Sequence, residues 1–457
     1  MGLRGALERL AERNLCIAAR TDGTVFIGKR RTYKYLACLV GLHTDNDAPV
    51  CCELENRHIG RVRTCCGNTL IHSVDQLNKN GGVVAKVQSV LIVGGGIGGM
   101  SCALELRKLG IAVELIDIDP DWRALGAGIT ITGPTLRAFK YLGVMDEIIK
   151  QGATWGGAKV FAADGVTLLE EMTFPPVEAD VPPTGGIMRP VLHKILSERV
   201  LAAGTKVRLG LTVTDILEND QHVKVKFSDG AEATYDMMVA ADGAFSKMRD
   251  QLFPEAPKPK FTGQGIYRIV AEKPKGMEGT LFYMGSNMKV GFNPVSPTHC
   301  YMFLLEFSPD NPWLPLEEQP KRLYDLMAKF GGAVAEARNQ VLGNDTVNYR
   351  PLEAIIQPAP WYKGRCVLLG DTAHATTPHL ASGAGMAVED GLVLADELKK
   401  SDTIEQAFAG YMQRRYERCK LIVTNSIQLG ELEMQGSDPH VHTQLMSQSI
   451  AALRAPI

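Results

Sequence analysis

The stretch that most constrains the fold is "VQSVLIVGGGIGGMSCALELRKLGIAVELID", from Val87 to Asp117. Val90 to Val93 is a short apolar run suited to a buried parallel strand. Gly94, Gly96 and Gly99 then give G-x-G-x-x-G, with Gly98 inside the same turn. The first glycine permits the tight turn, the second lets backbone approach a pyrophosphate, and the third lets helix and strand pack closely. Ala103, Leu104, Leu106 and Leu109 supply an apolar helical face, and "AVELID" reads as the second strand. Asp117 ends that strand, where a carboxylate accepts hydrogen bonds from an adenosine ribose. Strand, helix, strand and terminal acid in register predict a dinucleotide site, and leave NAD and FAD both open.

Near the other end of the chain, "GRCVLLGDTAH" predicts a buried strand, Cys366 to Leu369, ending in Gly370-Asp371. A second glycine-rich stretch follows, and "SGAGMAVEDGLVLADEL" predicts a helix starting near Gly383, with Met386, Leu392 and Leu394 on its apolar positions. A helix start of this kind turns free N–H groups and a positive dipole end toward an anion. Between the two glycine loops, "HVKVKF" and "EATYDMMVAAD" are joined by the turn "SDG" as a hairpin-like pair. Asp242-Gly243 stands at the end of that pair, with Ser246 and Arg249 at a helix start beyond it. "MRPVLHKILSERV" places Arg189 at the head of another helix.

With "GAGI" at Gly126 to Ile129, this set resembles the single-component FAD-dependent aromatic hydroxylases of the p-hydroxybenzoate hydroxylase fold. The closer likeness is to the branch of salicylate hydroxylase and 6-hydroxynicotinate 3-monooxygenase, and it runs from about Val87 to the C-terminus. It implies an α/β fold: a Rossmann-like FAD-binding domain, an inserted, mostly antiparallel β-sheet substrate domain, and C-terminal helices. An extended dinucleotide then needs two sites, which accounts for two glycine loops. Gly94, Gly96, Gly98, Gly99 and Asp117 would serve the adenosine diphosphate end, with Gly128 in the "GAGI" stretch. Arg189 would reach the ribityl-phosphate region, and Gly370 and Asp371 the ribitol. Asp242, Gly243 and Arg249 would contact both FAD and a transient NADH or NADPH, which has no second G-x-G-x-x-G of its own. Gly383, Ala384 and Gly385 would face the flavin ring edge, with Pro378 against the ring and His379 close by. His374 reads as a structural partner of the loop backbone, with a base as the alternative. The implied reaction is hydroxylation of a small aromatic with O2 through a flavin C4a-hydroperoxide.

On the substrate side, residues 256–349 hold alternating stretches such as "GIYRIVAE" and "CYMFLLEF", which predict an antiparallel sheet. Arg268 is a candidate clamp for a substrate carboxylate, with a surface salt bridge as the alternative. Tyr267 and Tyr301 are candidates for relaying a phenolic proton, with plain packing as the alternative. The chain departs from the likeness at three positions: Leu380 and Ala381 stand where the salicylate branch commonly has Gln and Gly, and Thr130 stands where the hydroxypyridine branch has a His. The substrate and the catalytic base therefore stay open.

Composition bounds the rest. At 457 residues, with 45% hydrophobic and 22% charged, the chain has a soluble globular balance, and its net charge of −2 gives no reason to expect nucleic acid. "YLACLVGL" is too short to span a membrane and no leader is readable, so a cytoplasmic protein, possible as a homodimer, is expected. The plan is an extension over 1–86, FAD-domain parts over 87–255 and 350–402, the sheet over 256–349, and helices over 403–457. Arg414, Arg415 and Arg418 read as a solvated helix face. The extension carries six of the ten cysteines, but its adjacent pairs, Cys51-Cys52 and Cys65-Cys66, lack zinc-site spacing, so no metal is expected. Rival readings are another FAD oxidoreductase of the same fold and a non-catalytic FAD-binding regulator.

Overall fold

The computed structural model describes residues 87–457 except 125, 220, 312–313 and 437–438, together with five short strands nearer the N-terminus. The chain divides into two compact units, Met1–Gly82 and Val83–Ile457. In the first, strands Ile17–Ala19, Thr24–Ile27, Leu36–Leu39, Val50–Glu53 and Arg63–Thr64 form one antiparallel sheet. The side chains of the cysteine pairs, and with them the question of zinc, lie outside the described residues.

The second unit is built on a six-stranded sheet. Its order is Lys206–Leu209, Ala112–Asp117, Ser89–Val93, Met237–Ala240, Cys366–Leu368 and Tyr362–Lys363. All its pairings are parallel but the last. Its central strands are continuous apolar runs because they are buried in a core shared by helices and the small antiparallel sheet Val213–Glu218, Val223–Phe227 and Glu232–Tyr235. The helices that matter below are α1 (Ile97–Lys108), α2 (Gly133–Leu142), α3 (Arg189–Ala202), α4 (Gly383–Lys400), α5 (Ile404–Gln435) and α6 (Pro439–Arg454). α4 packs against α1, α2 and α5. Among the described residues no helix is long and apolar enough to cross a membrane.

A seven-stranded sheet forms the second layer, ordered Leu168–Thr173, Gly157–Ala162, Thr280–Gly285, Met288–Pro294, His299–Phe307, Lys260–Glu272 and Asn348–Ala354. It is antiparallel except where Gly157–Ala162 meets Thr280–Gly285. Two of its strands come from before residue 256, a contribution the sequence did not announce. Leu168–Thr173 is an edge strand, exposed along most of its length, so no buried alternation marks it. "EATYDMMVAAD" is two strands rather than one. Glu232–Tyr235 stays in a small antiparallel sheet, while Met237–Ala240 joins the parallel one. Asp236 makes the break, its Oδ2 accepting the Gln88 and Ser89 N–H groups at 2.8 Å each.

The three arginines of α5 do not form a solvated face. Arg415 is fully buried, and Arg418 joins it on the carboxylates of α4. Arg415 Nε donates to Asp390 Oδ1 at 2.8 Å and Nη1 to Glu389 Oε2 at 2.6 Å. Arg418 grips Glu389 through both nitrogens at 2.9 Å and reaches the Leu453 carbonyl of α6 at 2.8 Å. Arg414 is the most exposed of the three, on Asp396 and Glu397.

Candidate active site

Two helices packed against each other, α1 and α4, both start without a cap. α1 begins at Gly96 and α4 at Ser382, with no side-chain cap and no acidic residue in either first turn. Free N–H groups at two separate points suit a molecule with two anionic ends. In the first loop, Gly94 holds φ +111°, and a Cβ there would stand 2.2 Å from the Ala241 carbonyl oxygen. A Cβ at Gly99 would stand 2.0 Å from the Gly94 carbonyl oxygen, whereas one at Gly96 would meet nothing within 4 Å. Space is thus left at Gly96, and none at Gly99, where helix meets strand. Gly98 packs on Leu369. Asp117 is aimed by its own backbone bonds, Oδ2 accepting from Gly95 N–H at 2.7 Å and Oδ1 from Asp119 N–H at 2.8 Å. Trp122, which no motif signalled, donates its indole N–H to the Gly95 carbonyl at 2.9 Å.

The D-G and G-D stretches, far apart in sequence, are tied together. Gly243 N–H donates to Thr372 Oγ1 at 3.0 Å, and that hydroxyl faces Asp242 Oδ1 at 3.4 Å. Ser246 caps the following helix, donating to Asp242 and accepting from Arg249 N–H. Arg249 is fully buried. Its guanidinium donates to the Thr372 and Ala244 carbonyls at 2.9 Å each, so it clamps the two loops from inside. Burial raises the Asp242 carboxyl, with Ser246 opposing. Asp371 is exposed, yet the surrounding protein raises its pKa by burial. The His374 and Arg189 charges oppose that rise, and Asp390 adds to it. Arg189 therefore lies within electrostatic reach of Asp371.

His374 holds the loop through Asp390 rather than through backbone. Its Nε2 lies 2.6 Å from Asp390 Oδ2, which also accepts the Gly370 N–H at 2.9 Å. His374, Asp390 and Cys419 form a buried three-donor group. Arg415 donates to Asp390 Oδ1 at 2.8 Å and to Cys419 Sγ at 3.5 Å, so two of the three donors already face a guanidinium. Pro378 and His379 lie on a single turn, Pro378–Leu380, just before α4. Gly383 and Ala384 are half-buried at the start of α4. Gly385 serves packing: a Cβ there would stand 2.2 Å from Thr135 Oγ1 of α2.

The seven-stranded sheet places Arg268 and Tyr301 on one face and Tyr267 on the other. Successive side chains of a strand point to opposite faces. Tyr267 pairs across with Leu304 and is fully buried in the core under the far face, its hydroxyl donating to Glu306 Oε1 at 3.0 Å. That position makes it a packing residue, away from Arg268. Arg268 pairs with Phe303, and Tyr301 lies on the same face, against Ala127 and Met188 of the nucleotide domain. Gly128 makes room for Tyr301: a Cβ there would stand 2.6 Å from its ring. Tyr301 OH is 2.9 Å from Thr130 Oγ1, the position where the hydroxypyridine branch has a base. Arg268 has no ion-pair partner among the described residues. Burial lowers its pKa to about 10, with Arg189 and Arg350 pressing the same way and only Tyr301 opposing.

A family model described as "FAD binding domain" matches residues 87–426. The chain is similar to a putative FAD-dependent monooxygenase of Bacillus subtilis, 29% identical over 370 residues, 80% of this chain and 99% of that one. It is 32% identical over 317 residues to 2-heptyl-3-hydroxy-4(1H)-quinolone synthase of Pseudomonas aeruginosa, 67% of this chain and 80% of that one. Its fold is that of Klebsiella pneumoniae HpxO complexed with FAD and uric acid, with TM-score 0.73 at 21% identity over 81% of this chain and 97% of that one.

Proposed function

This chain belongs to the FAD-binding-domain family of FAD-dependent monooxygenases, and from that premise we propose that it uses NADH or NADPH and O2 to hydroxylate a small aromatic bearing an acidic group. The observation that carries the substrate class is Arg268, a half-buried guanidinium on the sheet face of Tyr301 with no ion-pair carboxylate among the described residues. A planar fork of donors in that state suits a carboxylate or a comparable anion held bidentately. Bound FAD supplies the redox chemistry and the activation of oxygen. The chain's own residues orient and seal. The uncapped starts of α1 and α4 receive the two ends of the cofactor, and Asp117 and Asp371 take its hydroxyls. Arg268 fixes the acid group of the substrate, which directs the rest of the ring along the sheet face toward Tyr301. Burial raises the Tyr301 phenol, and Thr130, Arg268, Arg189 and Asn293 oppose that rise only in part. Tyr301 therefore stays protonated at neutral pH and meets a substrate hydroxyl as a hydrogen-bonding partner.

Screening aromatic acids beside their neutral analogues for stimulated NADH or NADPH oxidation, with product analysis, tests this reading. Acids should stimulate and yield a hydroxylated product. Arg268→Met should raise KM for the acid roughly ten- to hundredfold, the worth of a charge-assisted hydrogen bond of about 1.5–3 kcal/mol. Stimulation by neutral phenols alone would overturn the anion clamp, and stimulation by no aromatic at all would favour a flavin-binding regulator.

Asp371→Ala tests the cofactor end separately. Loss of one charge-assisted hydrogen bond should weaken FAD binding by about ten- to hundredfold. Fluorescence titration of stripped protein reads it, and an unchanged dissociation constant would remove Asp371 from the site.

A further inference from the structure

We infer that His379, Glu433 and His442 form a proton path between the loop beside Pro378 and solvent, with Lys289 holding the bridging carboxylate in place. The inference rests on the oxygenase reading for its purpose, because a site that excludes water still has to exchange protons with it. Its geometry stands on its own.

His379 lies on the turn between Asp371 and α4, and its side chain is 1% exposed. It reaches α5 at Gly430, where a Cβ would stand 3.0 Å from His379 Cε1 and 2.7 Å from Gln264 Oε1. Glycine in the middle of a long helix weakens the helix, and this approach is what its presence allows. The two imidazole nitrogens are in different states. Nδ1 is 2.9 Å from Thr377 Oγ1, whereas Nε2 is buried with no aligned hydrogen-bond partner. Glu433 Oε2 stands 3.5 Å from that nitrogen, at ion-pair range, so a small rotation of the glutamate closes the contact. Glu433 Oε1 accepts from Lys289 Nζ and lies 3.2 Å from His442 Nε2. His442, on α6, is 22% exposed and forms the outer end.

The resting charges place a neutral imidazole beside an ionised carboxylate. The groups facing His379 are Glu433 from α5, Lys289 from the substrate sheet and His442 from α6, with Gln264 and Thr377 neutral. Burial lowers the His379 pKa, Glu433 pulls it up, and Lys289 and His442 push it down again, so the ring is neutral at neutral pH. Burial disfavours an ionised Glu433, but Lys289 and the two imidazoles overcome it and hold the group well below the carboxylate range. A proton taken up at His379 Nδ1 leaves from Nε2 to Glu433 Oε2. The carboxyl then turns about its Cγ–Cδ bond and offers that O–H to His442 Nε2, while Lys289 takes the freed oxygen. His442 accepts there in its Nδ1–H tautomer and releases the Nδ1 proton to water, and each group returns to its starting state once both imidazole rings exchange their tautomers. A purely structural pin, tying loop to sheet, would use the same ion pairs but would not need His442.

The test is the exchange of the His379 ring N–H with water, followed by NMR on the full chain with FAD bound, labelled with 15N-histidine and given no substrate. His442→Ala should slow that exchange by at least about tenfold, and added free imidazole should restore it. Glu433→Gln should slow it as well; if that variant fails to fold, His442→Ala decides alone, being at the periphery. Exchange at His379 unchanged in His442→Ala would overturn the path and leave the pin. Failure of the hydroxylase reading would show instead as absent stimulation by aromatics, with this exchange unaffected.

Discussion

Arg415→Met should destabilise the flavin domain by about 3–5 kcal/mol, the cost of leaving buried carboxylates without their cation. Arg415 is the only group that touches both Glu389 and Asp390 in this cluster, and it has no solvent exposure. Asp390 in turn holds the Gly370 N–H and His374, so the loss should spread to the loop carrying Asp371. Arg414→Met is the control. Its ion pairs with Asp396 and Glu397 are partly exposed, so its loss should cost less than about 1 kcal/mol. Urea unfolding of the two variants side by side reads the difference, and equal midpoints would sink the claim. The pH dependence has two limbs. Glu389 and Asp390 are held low against their own burial, by Arg415 and Arg418 for the first and by His374 and Arg415 for the second. Their stabilisation is present above the ordinary carboxylate value of about 4 and is lost as pH falls through the folded values. Burial would lower His374, but Cys419 and Asp390 raise it well above the imidazole value. Its contribution is full below about 6.5 and is lost as pH rises through the folded value. In Arg415→Met the carboxylates lose their depressing cation, so the acid limb should shrink.

What the sequence reveals and hides here follows from range and period. The first fingerprint is legible because glycine spacing, apolar period and a terminal acid all act within thirty residues. The start of α4 and the strand ending at Gly370 are legible for the same reason. Arg415 was misread because "QRRYERCK" looks like a charged helical face. The signal against that reading was present: Ile404, Phe408, Tyr411, Arg415, Cys419 and Ile422 recur at three- and four-residue steps, so Arg415 lies on the apolar stripe. A charge on such a stripe calls for buried partners, and "VEDG" on the neighbouring helix supplies them. Tyr267 and Arg268 could be assigned only as alternatives, since period two separates their faces without saying which face meets the cofactor. His379 and Glu433 are brought together only by the docking of α5 on the loop. No local pattern records it.

Gly96→Ala and Gly99→Ala alter one motif and should fail by different routes. At Gly99 the added methyl would stand 2.0 Å from the Gly94 carbonyl oxygen and 3.3 Å from Ile92 Cγ2. The near atom is backbone, so α1 must lift from its strand, and overpacking of this kind costs about 1–3 kcal/mol or more. Gly99→Ala should therefore melt earlier even when stripped of FAD. At Gly96 the methyl would meet no protein atom within 4 Å, and φ is −75°, which any residue adopts. Stripped Gly96→Ala should thus unfold within about 0.5 kcal/mol of the parent. Its methyl instead enters the space that the pyrophosphate needs, and affinity for FAD should drop roughly a hundredfold, or about 2.7 kcal/mol. Because ligand binding stabilises in proportion to the logarithm of its excess over the dissociation constant, added FAD should raise the melting temperature of the parent more than that of Gly96→Ala. Melting curves with and without FAD separate the two cases. Parent-like FAD binding by Gly96→Ala would mean that the pyrophosphate does not lie on this loop, while parent-like melting of stripped Gly99→Ala would mean that the strand and helix are less tightly joined than the 2.0 Å approach requires.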